Sequence, residues 1–108
     1  MKLLISVAFA WAIAVPAFAD EDMSPDAAAQ AEAMYADSCA QCHGRAGRGL
    51  ASFPSLAGKD ESYLSDRLER YRAGERIGPN SPLMIPVAAE LSDEEIGNLA
   101  AFISTGFR

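Results

Sequence analysis

Apolar positions recur at helical spacing in three stretches of the chain, and no stretch of useful length alternates at the two-residue spacing of a strand. The first stretch opens at Ser24-Pro25, an N-cap followed by a proline in the first helical position, and runs from Asp26 to Ser38. Ala27, Ala31, Met34, Tyr35 and Ser38 fall on one face of it, and the small residues there predict close approach to a neighbour. A second helix is predicted from about Asp60, with Leu64, Leu68 and Tyr71 on one face and Gly74 as a left-handed stop. The third is the best marked. Ser92 and Glu95 form a capping box, Leu91 and Ile96 a hydrophobic staple, and Ile96, Leu99, Ala100 and Ile103 a buried stripe that ends at Gly106.

Between these stretches the breakers are dense. Gly44, Gly47, Gly49, Pro54 and Gly58 predict one long loop, and a loop of that length in a small domain normally carries function. Pro79, Pro82 and Pro86, set around Leu83-Met84-Ile85, predict a second loop from Ile77 to Pro86, stiffened by fixed φ angles. The amino terminus has its own pattern. Lys2 precedes a run from Leu3 to Val15 that is apolar except for Ser6, and Ala17-Phe18-Ala19 places small residues before Asp20. These are the three parts of a secretory signal peptide, residues 1–19, with the mature domain at 20–108. The apolar run is too short for a spanning helix and Pro16 breaks it, so no membrane span is expected after cleavage.

Composition narrows the class. Nine Lys and Arg against fifteen Asp and Glu give a formal net charge of −6 over 108 residues, which leaves no basic stripe for phosphates and excludes nucleic acid as an expected partner. Removing 19 of the 108 residues leaves 89, and the loss of Lys2 takes the charge from −6 to −7. So short a domain buries a modest core and commonly needs a staple. The two cysteines, Cys39 and Cys42, are too close to close a long loop, so their role is chemical.

Cys39-Ala40-Gln41-Cys42-His43 has the spacing of a c-type haem attachment site. One helical turn sets two thiols along a porphyrin edge, where each can add to a vinyl group, and aims the next imidazole at the iron. Covalent haem would supply the missing core, in the oxidising exported setting that a signal peptide provides. A CxxC pair also occurs as a redox dithiol and as half of a zinc site. The dithiol reading lacks its βαβ context, and zinc lacks a fourth ligand beyond Cys39, Cys42 and His43. Opposite His43 the iron would be open, hydrated or held by a second donor. No second histidine exists; Met23 is terminal, Met34 lies on the helix leading to Cys39, and Met84 sits far along the chain in the proline-rich segment. Met84 is the expected axial ligand.

Cys39 to Gly44, then Phe53-Pro54-Ser55-Leu56-Ala57-Gly58, then Tyr63-Leu64 with Leu68 and Gly74, then Met84 and Leu91-Ser92-Asp93-Glu94-Glu95-Ile96, resemble in that order a class I cytochrome c of the small bacterial monohaem kind, from about Ala28 to Ile103. The resemblance implies an all-α fold, three to four helices around one covalently attached haem c, with the first and last helices crossing and a middle helix on the haem edge. It implies that the Pro54 carbonyl accepts the other imidazole N–H of His43 and that Leu56 lines the haem wall. Within the family the chain is most similar to cytochrome partners of sulfide-oxidising flavoproteins and to single-domain relatives of dihaem cytochromes. It has no flavin-binding signature, so any flavin belongs to another polypeptide.

His/Met ligation leaves no vacant iron position, so the expected function is one-electron transfer with redox protein partners rather than catalysis. The alternatives are a haem-bearing outlet subunit of a larger oxidoreductase, such as a sulfide-oxidising flavocytochrome, and, if Met84 leaves the iron open, a sensor or peroxidase. Leu56, Tyr63, Leu64, Tyr71, Leu83, Ile85, Leu99 and Phe102 are the expected apolar shell. Arg67, Arg70, Arg72, Arg76 and Arg48 are candidates for haem propionates or a docking patch, with ion pairs to Asp66 and Glu69 as the simpler use of the helical arginines.

Overall fold

The Ser24 hydroxyl accepts from the Ala27 N–H at 3.2 Å, and with Pro25 directly behind it this starts α1, Pro25–Ser38. The computed structural model describes residues 23–108, so the predicted signal peptide and the boundary at residue 20 lie outside the described residues. Among the described residues the chain forms five helices and no strand. A one-turn α2, Ala40–His43, follows α1; α3 is Glu61–Arg72, α4 Ser81–Ala89 and α5 Asp93–Gly106. No helix among them is long and apolar enough to cross a membrane.

The segment expected as a proline-stiffened loop is instead helical from Ser81 onward. Two features reconcile the prolines with a helix. Pro82 occupies the first turn, where its missing N–H has no intrahelical partner to lose. Pro86 forgoes one bond in the interior, but α4 ends three residues later at Ala89, so little ladder is disrupted. Ser81, buried at 2% exposure, accepts the N–H groups of Ile77 and Gly78 at 2.8 Å each and turns the preceding residues into the helix start.

α5 is built as its caps require. The Ser92 hydroxyl accepts from the Glu95 N–H at 3.1 Å, and the Glu95 carboxylate accepts from the Ser92 N–H at 3.0 Å. Gly106 lies within the helix, and the stop is the extended Phe107. On α1, Ala31 and Tyr35 are buried while Ser38, expected on the same face, is exposed because the chain turns there into α2. α1 packs on α5, which also packs on α3, and α3 carries α4 as well. Small residues, Ala31 on α1 and Ala100 on α5, allow close approach. Tyr35, Leu64, Leu99, Ala100 and Ile103 form the core where α1, α3 and α5 meet.

Ile96, at 1% exposure, is one of the most buried large side chains, and it lines neither of the cavities described below. Ile96→Ala is expected to destabilise the protein by about 3 kcal/mol through lost burial and an unfilled cavity. Denaturant unfolding should show a lower midpoint with an unchanged slope.

Candidate functional site

α1 ends at Cys39, whose N–H donates to the Tyr35 carbonyl at 2.9 Å, and the Cys39 carbonyl then accepts from Cys42 at 3.2 Å and His43 at 2.9 Å. This single turn sets Cys42 and His43 one helical turn beyond Cys39. Both thiols are free and half-buried, and His43 is buried. Burial pushes the Cys39 thiol up to about 11, with a neighbouring Cys42 thiolate adding to the shift. A dithiol built for exchange has a lowered pKa at its attacking thiol, and the shift at Cys39 runs in the other direction.

The loop expected from Gly44 to Gly58 folds back over His43. The Gly49 N–H donates to the His43 carbonyl at 2.7 Å and the Leu50 N–H to the Cys42 carbonyl at 3.1 Å. Gly49 has φ +82, and its α-carbon presses so closely on the Phe53–Ser55 backbone that a side chain would collide with it. That approach delivers the Pro54 carbonyl to His43, whose Nδ1–H donates to it at 2.8 Å. The bond fixes the tautomer, leaving Nε2 as the nitrogen with a free lone pair.

His43 borders two adjoining cavities of about 250 and 360 Å³. Cys39, Pro54, Tyr71 and Met84 also border both, so His43 and Met84 share both cavities. Cys42 and Leu83 line the smaller cavity; Leu56, Tyr63, Leu64 and Leu99 line the larger. Ile85 and Phe102, expected in this shell, line neither. Phe102 instead belongs to an aromatic cluster with Tyr35 and Phe107. Lining residues that the sequence reading missed include Phe53, Val87, Leu68 and Ile103. The stripe of α5 already carried a signal for Ile103.

The arginines divide sharply. Arg70 pairs with Glu75 at 2.6 Å and Asp66 at 3.6 Å, so Glu75 stands where Glu69 was expected. The Arg70 hydrogen bond and charge lower the Glu75 pKa, and Glu75 in turn raises that of Arg70. Arg72 holds Asp93 at 2.6 Å and the Leu91 carbonyl at 3.2 Å, tying α3 to the start of α5. Arg48 and Arg76 line neither cavity. Arg67 does, with Lys59, which the sequence reading did not single out; both cations lie over the Tyr63 ring, 5.1 and 5.3 Å from its centroid. Among the described residues they are the charged groups of the cavity walls, and no carboxylate of those residues lines either cavity.

The sequence profile of the family described as Cytochrome c matches residues 28–106. The chain belongs to the cytochrome c family. It is therefore an electron-transfer protein rather than an enzyme, and the family's cofactor is haem c. Cytochrome c-554(548) of Halomonas halodenitrificans is 46% identical over 68 residues, covering 62% of this chain and 82% of that one. The thiosulfate dehydrogenase electron acceptor of Stutzerimonas stutzeri is 46% identical over 65 residues, 58% of this chain and 29% of that one. Among solved structures, reduced recombinant cytochrome c4 from Pseudomonas stutzeri superposes with a TM-score of 0.65 at 32% identity, covering 79% of this cytochrome and 50% of that chain. The all-α class I fold expected from the sequence is the fold observed.

Tyr35 closes the site from behind. It is buried at 3% exposure, and its hydroxyl donates to the Gly44 carbonyl at 2.6 Å, just past His43. Burial, with charge on Cys39 second, pushes its pKa from 10.0 to about 12. A raised pKa means that the folded state holds the proton longer, so this contribution is complete below pH 10 and is lost as pH rises towards 12. Tyr35→Phe is expected to cost about 1 kcal/mol at neutral pH and to flatten that alkaline loss. Thermal unfolding between pH 7 and 12 would measure both.

Proposed function

We propose that this cytochrome is a periplasmic one-electron carrier with one haem c, attached through Cys39 and Cys42 and ligated by His43 and Met84. The observation that carries the reading is that a tautomer-fixed imidazole and a thioether border the same cavities, with both thiols on one helical turn at the edge. The donor set and walls fit the group. Two thiols, one Nε2 lone pair, one thioether sulfur and apolar walls are what haem c requires. Lys59 and Arg67 add positive charge where a porphyrin bearing carboxylates needs it, and no wall carboxylate among the described residues opposes it. Bound there, haem c supplies an iron that cycles between ferric and ferrous states.

The chain's residues do the rest. Pro54 holds the His43 ring through Nδ1, which leaves Nε2 for the iron; Met84 would supply the second ligand, and Leu56, Leu64 and Leu99 would exclude water. A soft thioether ligand and a dry shell favour the ferrous state and raise the potential. Residues 1–19, read as a signal peptide, supply the export that thioether attachment requires.

The exposed large apolar residues among those described are Leu50, Tyr63 and Leu83, and Tyr63 is flanked by cations. That surface suits brief redox encounters better than a permanent subunit interface. The electron-acceptor name of the Stutzerimonas relative favours a dehydrogenase as donor; a flavoprotein donor, including a sulfide-oxidising one, rests on the sequence resemblance alone.

Protein recovered from the periplasm of a host with haem-attachment machinery should have the mass of residues 20–108 plus one haem. A mass two hydrogens short of the bare chain would show a Cys39–Cys42 disulfide and defeat the reading. Met84→Ala is expected to retain the attached haem, change the ferric spectrum and lower the reduction potential. An unchanged spectrum and potential would remove Met84 from the iron.

A further inference from the structure

Pro54 places its carbonyl on His43, but what holds Pro54 is the segment that follows it. The Gly47 carbonyl accepts from the Leu56 N–H at 2.6 Å, the Ala57 N–H at 3.0 Å and the Ser55 hydroxyl at 3.2 Å. The Gly58 N–H donates to the Phe107 carbonyl at 2.9 Å. Residues 55–58 are thus suspended between Gly47 and Phe107. Those two anchors also touch each other. Gly47 is buried with φ +68, and a Cβ built on it would lie 2.7 Å from Cδ2 of Phe107, so the ring sits directly against this backbone. The Phe107 ring is itself packed against Tyr35 and Phe102, with centroids 4.8 and 5.6 Å away.

We propose that Phe107 is a positioning residue for the His43 imidazole, acting through Gly47 and residues 55–58 to keep the Pro54 carbonyl on Nδ1; the inference rests on His43 as an iron ligand. Phe107 lines neither cavity itself. Its ring backs Gly47, the Gly47 carbonyl holds the peptides just beyond Pro54, and the Phe107 carbonyl closes the far end. Interiors transmit small displacements because they are close-packed, and a hydrogen bond weakens steeply as its angle departs from linear. Removing the ring therefore loosens the carbonyl that orients His43. A weaker Nδ1–H bond makes Nε2 a poorer donor to ferric iron, so the midpoint potential rises.

Phe102 provides the control, since it belongs to the same aromatic cluster but is not among the atoms nearest Gly47. The test uses ¹⁵N-labelled ferrous holoprotein and reads exchange of the His43 Nδ1–H by NMR, alongside midpoint potential and Tm. Phe107→Ala is expected to exchange this proton about tenfold faster, the effect of weakening a single hydrogen bond, and to raise the potential. Phe107→Tyr should restore parental values. Phe102→Ala should lower Tm while leaving exchange and potential at the parental level. If Phe107→Ala does not fold, the milder Phe107→Val is read the same way. Unmoved exchange and potential in Phe107→Ala, or in Phe107→Val where the alanine variant does not fold, or equal changes in Phe102→Ala, would overturn the positioning role. Intact mass of the parent separates the two ideas: attached haem with unmoved Nδ1 exchange defeats this inference alone, whereas a parent without attached haem defeats the reading of the site.

Discussion

The hydrogen bond from His43 Nδ1–H to the Pro54 carbonyl, 2.8 Å long, constrains most of what surrounds it. His43 ends a single helical turn, so its ring orientation is not set by a long helix. A carbonyl brought from eleven residues away sets it, and the chain between must double back within a few ångströms of its start. Gly49 makes that return possible because its α-carbon lies where any side chain would strike the Phe53–Ser55 backbone. Gly47 makes it stable, because its one carbonyl gathers three donors. A dense run of glycines in a small domain is here a tightly bonded cradle with its own hydrogen-bond network.

The opposite wall is built differently. α4 carries Met84 between two prolines and packs on α3. Its start is fixed by Ser81, which accepts two backbone N–H groups, and by the Asn80 amide, which donates to the Ser52 carbonyl at 3.2 Å, both residues lining the smaller cavity. One wall therefore depends on a folded loop and the other on an anchored short helix, and the core shared by α1, α3 and α5 holds the frame between them.

Charge is distributed with the same logic. The chain is acidic overall, at −6, yet among the described residues the charged groups of the cavity walls are Lys59 and Arg67. Arg70 and Arg72 are engaged with carboxylates and brace α3 internally and against α5. Neighbouring arginines on one helix thus serve different ends, Arg67 over Tyr63 at the cavity and Arg70 and Arg72 in ion pairs.

The termini of α1 and α5 were legible in the sequence because caps are local: Ser24-Pro25 and the Ser92/Glu95 box involve residues three apart, and no distant contact competes with them. The attachment-site pattern was legible for the same reason, since one helical turn sets the relation of Cys39, Cys42 and His43. The state of Ile77–Pro86 was not. Proline content argued for a loop, and burial of Ser81 together with packing on α3 made the segment a helix from residue 81. Nor could spacing along the chain separate Arg67 from Arg70, or Ile103 from Phe102, since which of them borders a cavity depends on helix rotation within the packed core. By itself the sequence determined the elements whose interactions span a turn or less, and the chemistry held within one of them. The tertiary structure decided which separated residues share a cavity, because that depends on close packing between elements far apart in the chain.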